Sequence, residues 1–571
     1  MKHAFLYPTL LLLLLAGAAW SQNLTRVRLD SPAAGELARS FEAQGYDILE
    51  GSVRPGSLEL VVTDAELTAL EDLGFPLEVI EVGRPFQEVQ TEGAGGVPER
   101  PGYPDLASVL AQMSTAATNF PSICQMVDLT ARYGLAPTFQ GRNMFALRIS
   151  DNVGVEEDEP AFLLVGAHHC RETVTPIICL DAISRLTTQY GIDPEITAVV
   201  DGNDIWIAPV WNPDGYNYVF TVNNLWRKNR RPVGNGVGVD LNRNYPFGWS
   251  SPCAGSLAPG SCTYKGPNPA SEAETKTMMA LSNDQRFAKV LDLHSFGREI
   301  LFAFDCDVHP LASFYQADGI RISTAAGYGG SNRPPSAEGE EYQWQLASFS
   351  SWAFLLETAT AFQPPIANAM AEATLVWPGI LGMLKHPVPV SGNVTDSCTG
   401  APLAAEITFG SFAFTNGESA SSGGPFGRYD TFLPVGPEIL TFTAAGFAPK
   451  TVSVTVVENQ TAVVDVALDP LATLAFEAAP SGSGLGGGYI LLSDPCPLAT
   501  TQDFVLFATT DDEGPLASGA GSFQVAGTLD ASGEARVALP PEARARGWRF
   551  VAWIADQRGT KETPVLRVDR R

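Results

Sequence analysis

Residues 166–172 read GAHHCRE: two adjacent histidines, a cysteine, an arginine and a glutamate. Imidazole and carboxylate groups this close together can hold a borderline metal ion or pass a proton. The chain has only six histidines, so few others can join them. His3, His309 and His386 lie in contexts without such partners, but His294 ends the apolar run AKVLDLHSF, and Glu357 ends another, WAFLLETAT. His169 and Glu172 follow a third, AFLLV. Short apolar runs of this kind read as buried strands. In open α/β sheets, ligands collect at the carboxyl ends of the strands. Any one of these side chains alone reads as a satisfied core polar group, whereas four of them on one sheet edge read as a site.

Neighbouring side chains of a strand point to opposite faces, so only one of His168 and His169 can share an ion with His294. His169 and Glu172 are three residues apart, and that spacing wraps both around one ion as the strand turns into the helix TVTPIICLDAISRL. His168 is expected to pack elsewhere. Two imidazole nitrogens and one carboxylate leave a fourth position for water, the pattern of a catalytic zinc site. The expected cofactor is one Zn2+ per chain.

These residues need a scaffold, and the chain is long enough to supply several domains. A length of 571 residues exceeds what one core can hold. The formal charge of -27 excludes a nucleic-acid partner, which would need clustered Lys and Arg, and reads mainly as solubility. Residues 1–21 read as a secretory signal: Lys2, a short apolar stretch, and Ala19 and Ser21 before the cut. The protein is therefore expected outside the cell, or in a periplasm, with no membrane span. Residues 22–95 alternate short strands and helices, with Asp64 as a helix N-cap and Gly74 as a stop. A Gly/Pro-rich linker covers 96–102. Strands and helices alternate over 103–388, which predicts an α/β domain with a mixed, mostly parallel sheet flanked by helices. Residues 389–468 predict a small β-sandwich, and 469–571 a further β-rich domain of no evident role. The eight cysteines contain no CxxC pair, which excludes a cysteine-based zinc site. Cys253 and Cys262 flank the loop CAGSLAPGSC, where a disulfide would rigidify it.

Six fragments, HCRE (169–172), LWRKNR (225–230), GVDLNRN (238–244), YKGPNPASEAET (264–275), DLHSF (292–296) and FLLET (354–358), resemble in content and order the zinc metallocarboxypeptidases of the carboxypeptidase A/B type. The segment near 22–95 is similar to that family's propeptide, and 389–468 resembles the transthyretin-like domain of some members. The resemblance implies zinc ligands at His169, Glu172 and His294, and a general base at Glu357 that serves the zinc-activated water. It places an oxyanion-stabilising arginine at Arg227 and the pair that holds the substrate's free carboxylate at Asn242 and Arg243. It also implies an auxiliary substrate arginine at Arg171, and at Asp240 a carboxylate that orients His169. The family's mobile tyrosine falls on Pro335 by ungapped counting, with Tyr328 and Tyr342 nearby.

Tyr342 falls at the main specificity position by the same counting. An aromatic floor would favour large apolar C-terminal residues, whereas the cluster Glu338, Glu340 and Glu341 would favour Lys or Arg, unless it is simply a solvated loop. The reading is a secreted, zinc-dependent carboxypeptidase, expected to be monomeric and to act on peptides or proteins with a free C-terminus. The alternatives are a zinc amidohydrolase on the same fold, acting on cell-wall peptides, and an inactive binding homologue.

Overall fold

The strands Ala161–Gly166 and Lys289–Ser295 are buried at every residue, and Trp352–Thr358 at every residue except Glu357. Strands covered on both faces carry continuous apolar runs, which is how parallel sheets appear in sequence. In this computed structural model they sit at the centre of an eight-stranded sheet. Its order is Asn332–Arg333, Glu299–Leu301, Trp352–Thr358, Lys289–Ser295, Ala161–Gly166, Asp204–Ala208, Phe145–Ile149, Cys124–Asp128. The central four run parallel, and antiparallel pairings flank them on both sides. The helices Val174–Gln189 and Ile366–Lys385 pack together, while Glu341–Phe349 packs against the strands Lys289–Ser295 and Trp352–Thr358. The sheet is mixed, with a parallel centre.

The described residues are 23–90, 102–478 except 235 and 305, and separate stretches between 488 and 568. The expected signal at 1–21 and most of the 96–102 linker lie outside them. Residues 24–82 form a four-stranded antiparallel sheet with two helices. The second helix is capped by Thr63 rather than Asp64. The Thr63 hydroxyl accepts from Glu66 N at 3.3 Å, and the Glu66 carboxylate accepts from Thr63 N at 2.8 Å. This reciprocal box satisfies two otherwise orphaned donors, which a lone Asp64 cap would not.

The strands of 390–468 form two small sheets around their own core of Val394, Ile407, Leu440, Phe442 and neighbours. This sandwich grips the central domain at the carboxyl end of the helix Glu341–Phe349. Ser419 N donates to Ala347 O at 2.7 Å, and Ser350 Oγ donates to Ser419 O at 3.2 Å. The rings of Trp352 and Phe432 stack at 5.1 Å across the same junction. Further strands between Thr473 and Val568 form two more sheets.

Candidate active site

Parallel pairing sets His294 beside Glu357 and Leu293 beside Gly166. Three strand ends therefore finish level, and the residues just beyond them converge. Past Gly166 the chain turns sharply at Ala167, a non-glycine residue at φ 52°. Thr175 Oγ1 accepts from Ala167 N at 2.9 Å and donates to Glu172 O at 3.0 Å, tying the turn to the following helix.

The turn delivers His169 and Glu172 to His294. Nδ1 of His169 lies 3.0 Å from Glu172 Oε1, and Nδ1 of His294 lies 3.2 Å from Glu172 Oε2. The two Nδ1 atoms face each other at 3.0 Å, so at most one can carry a proton. All three side chains are buried. One ligand atom from each lies within 4.8 Å of the other two, a donor set of two imidazoles and a carboxylate that suits zinc. The far nitrogen of His169, Nε2, meets Asp240 Oδ1 at 3.0 Å, and Asp240 Oδ2 takes Arg227 Nε at 3.0 Å. Such a carboxylate fixes the tautomer that leaves Nδ1 free for a cation.

Burial opposes every charge in this cluster, and opposite neighbours decide the outcome. Burial would raise the Glu172 carboxyl, but His169 and His294 hold it well below the usual range. Burial would also raise Asp240, but Arg227 and His169 hold it low. His294 is pushed up against its burial by Asp292 and Glu172. His169 is pushed down, first by burial and then by Arg227.

One cleft is lined by His169, Glu172, His294, Arg227, Arg243 and Glu357, with Asn242 and Arg171 also at its wall. Arg243 Nη1 donates to Asn242 O at 2.7 Å and to Glu340 Oε1 at 2.8 Å, while its buried Nε has no hydrogen-bond partner among the described residues. Asn242 Oδ1 accepts from Glu341 N at 2.8 Å, and its Nδ2 lies 3.2 Å from His294 Nε2. Arg171 is held from outside the central domain. Its guanidinium forks onto Asp47, with Nη2 donating to Oδ1 at 2.8 Å, and lies over the Phe362 ring at 4.3 Å. Ile48 and Leu49, next to Asp47, line the same cleft. No single stretch of sequence signals this contact, because Asp47 and Arg171 are 124 residues apart.

Three expectations are corrected. Tyr342 does not face the cleft; its ring is buried and its hydroxyl donates to Ala303 O at 3.1 Å. Tyr328 is likewise tied away, donating to Glu372 at 2.6 Å, so neither tyrosine lies over the site. Ungapped counting failed here because it crossed an irregular loop. The acidic cluster is not a solvated loop, since Glu338, Glu340 and Glu341 are all buried. Glu338 accepts from the backbone of Cys306 and Asp307. Glu341 is pushed well above the carboxylate range by burial and then by Asp292. Of the three, only Glu340 lines the cleft. The third correction concerns the disulfide: Cys253 pairs with Cys306, at a Cα–Cα separation of 6.0 Å, and Cys262 is a free thiol packed in the main core. Glu338 holds the two halves together, because its backbone N donates to Cys253 O at 3.3 Å.

The sequence matches the family described as zinc carboxypeptidase over residues 109–361. It is 36% identical over 179 residues to Metallocarboxypeptidase A of Trichophyton tonsurans, spanning 30% of this chain and 42% of that one. It is 30% identical over 302 residues to Carboxypeptidase A2 of Rattus norvegicus, spanning 50% of this chain and 70% of the relative. The solved structure of carboxypeptidase A from Helicoverpa armigera superposes with a TM-score of 0.52 at 22% identity, covering 63% of this chain and 97% of that one. That likeness is one of fold.

Proposed function

Since the chain belongs to the zinc carboxypeptidase family, we propose that it removes single residues from the free C-termini of peptides or proteins after export from the cell. One observation carries the reading: a buried arginine with an unengaged Nε, Arg243, lines the same cleft as the His169/Glu172/His294 cluster. A guanidinium recognises a carboxylate through parallel charge-assisted hydrogen bonds. A terminal α-carboxylate placed there would bring the last peptide bond toward the histidines.

His169, Glu172 and His294 would hold the zinc, which when bound supplies Lewis-acid charge and acidifies water. Glu357 lies in register with His294, and in this reading it takes a proton from the attacking water and returns it to the leaving amine. Arg227 is fixed to Asp240 by a hydrogen bond from Nε and an ion-pair contact from Nη2, and it offers positive charge to the oxygen of the scissile carbonyl. With Tyr342 out of the cleft and Glu340 in it, the side-chain pocket is bordered by a carboxylate rather than an aromatic ring, and that carboxylate is already paired with Arg243.

The 24–90 unit supports latency. Asp47 occupies Arg171, and Ile48 and Leu49 take up cleft wall that a substrate would need. We assign this unit as an inhibitory propeptide. Among the described residues no helix is long and apolar enough to cross a membrane.

The test is a panel of paired peptides with free and amidated C-termini, incubated with chain cleaved between 91 and 101. Stepwise release of single C-terminal residues from the free peptides alone is expected. Equal cutting of both forms, or release of internal fragments, would favour an amidohydrolase instead.

A further inference from the structure

The first histidine of the HH pair is not idle packing. We propose that His168 is a positioning residue that acts through Asp292 to fix the tautomer and ring angle of His294. The proposal rests on the zinc reading above, and it concerns the side of His294 that faces away from the cleft.

Nδ1 of His168 lies 3.0 Å from Asp292 Oδ1, and Nε2 of His294 lies 3.1 Å from Asp292 Oδ2. A carboxylate can only accept, so Asp292 calls for hydrogen on both facing nitrogens, and at His294 Nε2 it competes with the amide donor Asn242 Nδ2 at 3.2 Å. Nε2 of His168 meets the Tyr245 hydroxyl at 3.0 Å. With its hydrogen held on Nε2, His294 keeps Nδ1, the atom that faces Glu172 and His169, as the one that would bind the ion. The rings of His168 and His294 lie 5.9 Å apart and within 8° of parallel, as two arms on one carboxylate should. All four groups are buried.

The backbone explains why these residues meet. Asp292 and His294 are two apart on one strand and share a face. Asp292 registers beside Val165 on the strand that leads to the turn at Ala167. That turn sends His169 to Glu172 and Asp240, and His168 to Asp292. Without the hydrogen from His168, one oxygen of a buried carboxylate loses its donor. Asp292 could then rotate, and His294 would no longer be held at one angle.

The test is zinc affinity, read by competition with a chelator on the full chain, for wild type, His168→Leu and His168→Asn. Loss of a ligand's own supporting hydrogen bond weakens metal binding by about 10- to 100-fold; His168 acts one bond further out, so about 10-fold is the expectation for His168→Leu. The amide of His168→Asn can still donate to Asp292, so its affinity should stay within about threefold of wild type. Thermal midpoints of the metal-free proteins show whether each variant folds. Wild-type affinity in a folded His168→Leu, or equal loss in both variants, overturns the proposal. So does a wild type that binds two zinc ions of which His168→Leu loses one, because His168, Asp292 and His294 would then be ligands of a second site. Should His168→Leu not fold, Tyr245→Phe deletes a single hydroxyl from the same chain of contacts. Unchanged zinc affinity there overturns the proposal, and a severalfold loss supports it. A wild type that binds no zinc sinks the underlying reading and is told apart from these results at the first measurement.

Discussion

The strand Lys289–Ser295 has ionisable groups near both ends, equally buried and differently treated. At the carboxyl end, Asp292 and His294 sit among opposite charges that hold Asp292 low and His294 high. At the amino end, Lys289 Nζ has only neutral acceptors among the described residues, Leu384 O at 2.9 Å and Asn203 Oδ1 at 3.4 Å. Burial pushes its ammonium down to about 7. A buried charge therefore does not mark a site by itself. Side chains that could share one ion do, and among the described residues this strand offers them at its carboxyl end.

Substitutions at the two ends should separate function from stability. The largest effect is expected from Glu357→Gln, which keeps the shape and removes the base. Turnover should fall by roughly 10²–10⁴-fold while zinc content, measured by atomic absorption, stays at wild type. Next comes Arg243→Ala. It should lower kcat/KM on free-carboxylate peptides by about two orders of magnitude, equivalent to roughly 3 kcal/mol, and change amidated peptides far less. A smaller effect is expected from Asp47→Asn, which weakens the hold on Arg171. The uncleaved chain should gain several-fold in activity, and chain cut between 91 and 101 should be unaffected; equal activity of the two uncleaved proteins would remove Asp47 from the account of latency.

Lys289→Met should leave kcat/KM unchanged and alter only the response to pH. The folded-state value near 7 lies below the unfolded value of about 10.4. Between those values the unfolded chain binds more protons, so stability rises with pH through this window. Below about 7 the penalty is fully present. Urea midpoints of wild type should thus gain on those of the variant as pH climbs from 7 toward 10. A constant gap would show that the lysine is not depressed.

Much of the site was legible because strand ends are legible. Runs such as AFLLV and AKVLDLHSF fix where their last residues go, and the parallel fold brings those ends level. Asp292 shares a strand face with His294, but a lone aspartate inside a strand gave no reason to single it out. Tyr342 and the cysteine pairing were misread for a shared cause. Both depend on how irregular loops fold against each other, and neither periodicity nor spacing describes that. The fork between Asp47 and Arg171 joins two separately folding patterns, so nothing local could foreshadow it.

The helix Glu341–Phe349 is a rod about 13 Å long at 1.5 Å per residue. One end carries Glu340, which leans on Arg243; the other is bolted to the sandwich through Ser419. A rod without a hinge passes on a push at one end almost undiminished at the other. Among the described residues the sandwich lends none to the cleft wall, yet it is tied to the far end of the helix whose near end carries Glu340.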